Sequence, residues 1–238
     1  MITSKIRSTP AKGYSLQPLH HELIRVLQRK YTVLIDGTVV KDETYADQLP
    51  EELDLSRNST LVDVFGLRDA VQLVSLNLRM CKFIQDISWL SSLTILRTLN
   101  IGWCKGVKDI SVLGRLTSLR SLTMHRVSWL TNDTILNLAT LTELRDLDIG
   151  GTRISDISVL GFLTKLVHLN MNSCNHLVDI TVLNRLPELE TLSIICCKRI
   201  VYITSLIDAP ALVYLDIRGC KAIKDVTSLE NRDIRIKR

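Results

Sequence analysis

Long uncharged hydrophobic runs are missing from this sequence of 238 residues. No segment approaches the roughly 20 apolar residues that cross a bilayer, and the first residues have no hydrophobic core of a secretory signal. Glycine and proline are sparse, at 10 and 5 residues, which excludes collagen-like and proline-rich chains. A composition that is 46% hydrophobic and 23% charged also excludes intrinsic disorder. We therefore predict an ordered protein without membrane insertion, inside the cell and most simply in the cytoplasm.

Familiar signatures of catalysis, cofactor binding and metal binding are also missing. The chain has no nucleophile elbow, P-loop or dinucleotide fingerprint, and its six cysteines and five histidines show no zinc-site spacing. Asp146, Asp148 and His168 could converge on adjacent strands as a hydrolytic centre, but nothing in the sequence orients them as a unit. We predict a protein that is not an enzyme and uses no cofactor, metal or small-molecule substrate.

What the sequence does contain is leucine at a regular spacing. The centre of each short apolar triplet recurs after 23, 23, 23, 25, 22, 23, 23 and 19 residues. These centres are Leu53, Leu76, Leu99, Leu122, Leu147, Leu169, Leu192, Leu215 and Ile234. A period this regular is typical of a solenoid, in which each unit buries its apolar side chains by stacking on its neighbours.

Within one unit, residues 96–118, the apolar positions predict a strand followed by a tight return. Leu99 and Ile101 alternate with polar residues, which places them on the inner face of a strand. Apolar residues then follow at spacings of three, as in a 3₁₀ turn or a very short helix. These residues are Val107, Ile110, Leu113 and Leu116.

This pattern resembles the leucine-rich repeat family, L-x-x-L-x-L-x-x-N/C-x-L, over residues 50–238. A second repeated phrase, Asp-Ile-Ser, begins at Asp86, Asp109 and Asp156, with near copies at Asp179 and Asp225. The short units are similar to those of internalins and phosphatase regulators. The resemblance implies an α/β solenoid with a curved parallel sheet on its concave face and 3₁₀ or short helical turns on its convex face. We expect the repeated Asp to accept hydrogen bonds from the free N–H groups that open each turn.

Five of the six cysteines follow the same period. Each lies five residues after a strand leucine, at the position that the family uses for an asparagine ladder. They are Cys81, Cys104, Cys174, Cys197 and Cys220. Cysteine is small and has a weak S–H donor, so we interpret these residues as structural. Free thiols on adjacent strands also favour a reducing compartment, and Cys196 is expected on the open side.

The two ends of the chain differ from the repeats. Residues 1–17 predict a flexible basic arm, and residues 18–49 an N-terminal cap made of an amphipathic helix over 19–31 and a hairpin with Asp36-Gly37 at its turn. Eight repeats then fill residues 50–230, and residues 231–238 form a closing strand whose charges discourage edge pairing.

Function is expected on the solvent-facing positions of the strands. Six acidic and four basic side chains flank the core leucines, a balance that disfavours double-stranded nucleic acid in the concavity. Aromatic and arginine side chains beside this face favour a protein partner, with Trp103 as the anchor or as partly buried packing. The predicted partner-binding residues are Trp103, His125, Arg126, Asp146, Asp148, His168, Tyr214 and Arg218.

A second surface concentrates positive charge in a chain whose net charge is +5. One residue after the ladder, cations recur along one edge of the stack, and we call this column the basic rim. Its members are Lys82, Lys105, Arg153, Lys198 and Lys221. We therefore predict a protein-interaction module or scaffold, with a ribonucleoprotein component that holds RNA along the rim as the less favoured alternative. Residues 1–21 resemble a mitochondrial presequence, so a mitochondrial location stays open. A nuclear location also stays open.

Overall fold

The computed structural model describes residues 31–33, 39–41, 51–59, 61–62, 64–127, 129–230 and 232–238. The chain divides into two units, Met1–Asp42 and Glu43–Arg238. In the first unit, strand β1 (Tyr31–Val33) pairs antiparallel with β2 (Val39–Lys41). Tyr31, predicted as the last helical residue, belongs to β1 instead. The basic arm, most of the predicted helix and the Asp36-Gly37 turn lie outside the described residues, so an N-terminal cap stays a prediction.

The second unit is built on a single parallel sheet of nine strands, in the spatial order β11-β10-β9-β8-β7-β6-β5-β4-β3. Each strand is three residues long and pairs with the strand of the next repeat. The strands are β3 (Glu52–Asp54), β4 (Ser75–Asn77), β5 (Thr98–Asn100), β6 (Ser121–Thr123), β7 (Asp146–Asp148), β8 (His168–Asn170), β9 (Thr191–Ser193), β10 (Tyr214–Asp216) and β11 (Arg235–Lys237). The predicted leucine-rich repeat solenoid is confirmed.

The register of the sheet follows the leucine period. Leu76 lies opposite Leu53 on one side and opposite Leu99 on the other, and all three side chains are buried. Each central side chain therefore packs on the equivalent side chain of the adjacent repeats, which is how the repeats share one core.

The register of the last strand corrects the sequence analysis. Ile236, and not Ile234, lies opposite Leu215, so the final spacing is 21 residues rather than 19. Apolar residues at 234 and 236 both satisfy an alternating pattern, and the ladder of hydrogen bonds with β10 decides between them, with the Ile217 N–H donating to the Lys237 carbonyl at 2.8 Å. We expected Asp233 to flank a strand centre, but it lies before β11 and flanks none. The positions that flank the strand centres therefore include five acidic and four basic side chains, and two of the bases, Arg79 and Arg218, lie just after their strands.

From β3 to β9, the chain returns from each strand through a short 3₁₀ helix, as predicted. These helices are Phe65–Asp69, Ser88–Ser92, Ser111–Arg115, Leu136–Thr140, Ser158–Phe162, Thr181–Arg185 and Thr204–Asp208. Two returns contain a turn of α-helix, α1 (Asn132–Ile135) and α2 (Thr227–Glu230). Helix α1 explains the one spacing of 25 residues: Thr131 caps it through reciprocal hydrogen bonds with Thr134, and Leu136–Thr140 continues from it.

The repeated aspartates open the returns as expected. The carboxylate of Asp109 accepts a hydrogen bond from the Ser111 N–H at 2.8 Å, and Asp179 accepts one from the Thr181 N–H at 2.8 Å. Each Asp precedes the N-cap residue, which is an isoleucine, by one position. These bonds favour the charged form and lower the pKa of both carboxyl groups.

The ladder cysteines are buried and act as hydrogen-bond donors. The Cys104 thiol donates to the Leu78 carbonyl at 3.0 Å and the Cys197 thiol to the Met171 carbonyl at 3.1 Å. Burial raises the pKa of Cys104 and of Cys197 to about 12. The structural interpretation of the ladder follows, because a protonated, buried thiol is a poor nucleophile.

Candidate functional site

The outward-facing strand side chains form one continuous surface, which we call the open face; it corresponds to the predicted concave face. Successive residues of a strand point to opposite sides, so the first and third residues of β3–β11 lie on this face while the second is turned into the core. In β6, for example, Ser121 and Thr123 are half-buried and Leu122 is fully buried.

Three positions after the end of each strand from β3 to β10, a column of residues adopts left-handed backbone geometry. The φ angles in this column lie between 55° and 74°. Its members are Arg57, Met80, Trp103, Arg126, Gly151, Ser173, Cys196 and Gly219. Left-handed geometry costs a non-glycine residue about 1–2 kcal/mol, so the bend is imposed by the repeat. We did not predict this geometry, although glycine at two positions of the column was a usable signal.

Neighbouring members of this column contact each other across repeats. The Arg126 guanidinium lies 4.9 Å from the centroid of the Trp103 ring, a cation–π contact. On the other side of Arg126, a Cβ at Gly151 would lie 2.6 Å from the Arg126 Cγ. Gly151 therefore leaves the space through which the Arg126 side chain passes.

The Trp103–Arg126 contact extends to His125 and Asp148 on the open face. The rings of Trp103 and His125 are 6.3 Å apart between centroids and tilted by 45°. The Nδ1 of His125 lies 3.3 Å from Oδ1 of Asp148, which also accepts the Gly150 N–H at 2.9 Å. Four of the predicted site residues therefore form one cluster, which we call the aromatic cluster (Trp103, His125, Arg126 and Asp148).

A shallow depression of about 230 Å³ lies next to this cluster, around the acidic strand β7. Asp146, Asp148 and His168 meet there as expected, and Nε2 of His168 is 3.9 Å from Oδ1 of Asp146. We had not singled out the hydroxyl and amide groups of the lining, although they occupy the same open-face columns of the repeat. They belong to Ser121, Thr123, Asn170, Thr191 and Ser193.

The depression has a partial likeness to a hydrolytic centre. The Nδ1 of His168 lies 2.8 Å from the Thr191 hydroxyl, but its contact with Asp146 is longer than a hydrogen bond. His168 and Asp146 are also about half-exposed, with 51% and 48% of each side chain accessible. In the part of the chain that the structure describes, no group of three or more histidine, cysteine or acidic residues could hold a metal ion.

Tyr214 and Arg218 lie apart from these residues, at β10. Arg218 forms a two-pronged ion pair with Asp216, through Nε to Oδ1 at 2.9 Å and NH2 to Oδ2 at 2.8 Å, and the Tyr214 hydroxyl donates to the same carboxylate at 3.3 Å. Burial opposes the charged form of Asp216, but the bonds from Arg218 outweigh it and lower its pKa. The Arg218 guanidinium is thus already engaged within the chain.

The basic rim lies on the other side of the ladder. All five predicted rim cations are exposed. Within the described ranges, none of them lies within ion-pair distance of a carboxylate. The rim is therefore a column of solvated positive charges.

Comparison with known proteins identifies the class to which this solenoid belongs. Residues 142–185 match the family model described as Leucine Rich repeats (2 copies). Among solved structures, internalin C2 of Listeria monocytogenes str. 4b F2365 is similar, at 24% identity with a TM-score of 0.69, over 92% of each chain. An internalin (inlF) of the same strain is 22% identical with a TM-score of 0.60, over 92% of this chain and 73% of that one. A search of curated proteins gave no match.

The chain has the leucine-rich repeat fold, and the resemblance predicted from its period is confirmed. At these identities the likeness to internalins shows the fold alone. Among the residues that the structure describes, no helix combines the length and apolar character of a membrane span.

Proposed function

We propose that this protein is a non-enzymatic interaction module that binds a protein partner through its open face. The fold class supports the general role, since leucine-rich repeats present an extended surface built from repeated strands. The observation that carries the proposal is the aromatic cluster. Tryptophan and arginine are the residue types enriched at the energetic centres of protein interfaces, and here Trp103 and Arg126 are stacked on each other beside the strands.

The aromatic cluster is organised before any partner binds. Trp103 is half-buried, and its ring lies against the Arg126 guanidinium and near the His125 ring, so its side chain has less rotamer freedom to lose on binding. An anchor of this kind typically contributes at least about 2 kcal/mol when truncated to alanine. We therefore expect Trp103→Ala to weaken partner binding at least about thirtyfold.

Affinity capture with matched variants tests this function. The tagged wild-type chain, Trp103→Ala and Tyr202→Ala would be compared at native salt, with and without RNase. Tyr202 is an aromatic control of high exposure, 79%, outside the open face. We expect proteins that survive RNase, are lost with Trp103→Ala and are retained with Tyr202→Ala. A set of partners unaffected by Trp103→Ala would contradict the proposal.

A second candidate is RNA binding along the basic rim, in a ribonucleoprotein. Five exposed cations support it. Among the described residues, no carboxylate lies within ion-pair distance of any of these cations. Neighbouring repeats bring these side chains within one or two strand spacings of about 4.8 Å each. Reversal of Lys105 and Lys198 to glutamate should abolish RNA retention if the rim binds RNA, and should leave the Trp103-dependent partner in place if only the first function holds.

We also propose a reducing compartment for the protein, such as the cytoplasm. The ladder thiols support it, because each donates a hydrogen bond to a carbonyl of the preceding repeat that oxidation would remove. The fluorescence of a tagged chain, compared between the cytosol and the mitochondria of the same cells, tests the location.

A further inference from the structure

On its six inner strands, β4 to β9, the open face carries very little charge, and that charge is of one sign. From β4 to β9 the strands read Ser-Leu-Asn, Thr-Leu-Asn, Ser-Leu-Thr, Asp-Leu-Asp, His-Leu-Asn and Thr-Leu-Ser. Asp146 and Asp148 of β7 are therefore the only acidic side chains on these six strands, and the same strands contain no lysine or arginine. Both carboxylates line the depression at the middle of the sheet.

The fold does not require these two charges. Asp148 accepts the N–H of the residue two positions later, but Asn77, Asn100 and Asn170 make the same bond from the same column without a charge. At the column of Asp146, the other strands of this stretch carry Ser, Thr or His. A neutral residue would therefore serve the repeat equally well at both positions, so the two charges are available for a ligand.

No fixed cation neutralises the pair within the described part of the chain. Asp148 faces His125 of the adjacent repeat at 3.3 Å, and Asp146 faces His168 at 3.9 Å. The side chains of Asp146 and Asp148 are 48% and 26% accessible. Both carboxylates therefore reach solvent inside a depression that is also lined by three leucines and by five hydroxyl and amide side chains, which can accept further hydrogen bonds.

We propose that this depression binds the cationic side chain of an arginine or lysine on the protein partner. The proposal rests on the proposed function and names what the open face recognises. A guanidinium or ammonium group offers only donors and a positive charge, and the depression offers two carboxylates and several hydroxyl acceptors. The aromatic cluster shares Asp148 with the depression, so one segment of the partner can contact Trp103 and place its cation in the depression.

Titration of the whole chain with small probes, followed by amide NMR shifts, tests the proposal. N-acetyl-argininamide is the cationic probe, and N-acetyl-glutaminamide is its neutral counterpart. We expect the arginine probe to shift amides of β6–β8 with a dissociation constant in the millimolar range, and the glutamine probe to leave them unchanged. The Asp146→Asn/Asp148→Asn variant should weaken the arginine probe about tenfold, because two ion pairs are removed.

Asp208→Asn is the matched control, since it removes one exposed carboxylate from a 3₁₀ return and should leave the affinity for the probe unchanged. Equal shifts with both probes, shifts outside β6–β8, or no shift at all would overturn the cationic site. Such a failure, together with a partner that still depends on Trp103, would leave the proposed function standing.

Discussion

Cys196 and Cys197 are adjacent in the chain and lie in opposite environments. Cys197 is a buried ladder residue whose thiol donates to a backbone carbonyl, whereas Cys196 is exposed in the left-handed column beside the open face. The same contrast holds throughout the molecule: the core and ladder side of each repeat is nearly uniform, and the open side varies from repeat to repeat. Uniform positions maintain the stack, so we propose that a partner is recognised where the open face departs from uniformity.

Thiol reactivity should show the largest difference between the two sides. In the folded chain we expect a thiol reagent to modify Cys196 and to modify the five ladder thiols at least about a thousandfold more slowly, because a buried thiol reacts only after the structure opens. Burial also raises the pKa of Cys104 to about 12, which disfavours the reactive thiolate. Mass spectrometry of the alkylated chain, with and without denaturant, measures the effect; rapid modification of several ladder thiols would contradict it.

Adjacent residues of one strand should differ strongly in their contribution to stability. Leu122 is fully buried at the centre of β6, so Leu122→Ala should lower the free energy of unfolding by about 2–5 kcal/mol. Its neighbour Thr123 lies on the open face, and Thr123→Ala should change it by less than about 0.5 kcal/mol. Urea denaturation of the two variants makes the comparison, and equal losses would show that the two sides are not separated as described.

The aspartates that open the returns should have a smaller effect, which depends on pH. The bonds from Ser111 lower the pKa of Asp109 below its ordinary value of 3.8, so its contribution to stability is complete above that value and is lost as the pH falls through the lower folded-state pKa. Asp109→Ala should cost about 1 kcal/mol at neutral pH. Asp109→Asn keeps an acceptor and should cost less.

Denaturation at about pH 7 and about pH 3 measures this dependence. The difference between wild type and Asp109→Asn should shrink at the lower pH, because protonation removes the charge that distinguishes the two side chains. A difference that stays constant over this range would contradict the role assigned to the carboxylate.

The period of the repeats could be predicted from sequence because each unit solves the same packing problem. Spacing alone was enough to place Leu99 and the five ladder cysteines. It could not choose between Ile234 and Ile236, since both satisfy an alternating pattern and only pairing with β10 decides the register. Likewise, the helical periodicity continued through Tyr31, where pairing with Lys41 imposes a strand.

The candidate site could be predicted only as a set of columns. Sequence placed Trp103, Asp148 and His168 on the correct face, but their partners depend on how far adjacent repeats are offset. The stacking of Arg126 on Trp103 depends on left-handed backbone geometry. The sequence does not indicate this geometry where the residue is not glycine. The engagement of Arg218 by Asp216 likewise depends on side-chain rotamers, which no repeat pattern specifies.

Site-specific photocrosslinking tests most directly whether the open face is the binding surface. Two variants would each carry a benzophenone amino acid. One replaces Thr98, an exposed residue of β5 on the open face, and the other replaces Phe162, which is 64% exposed on a 3₁₀ return. The account predicts a covalent adduct with the Trp103-dependent partner from position 98 and none from position 162. Adducts from position 162, with none from position 98, would contradict it.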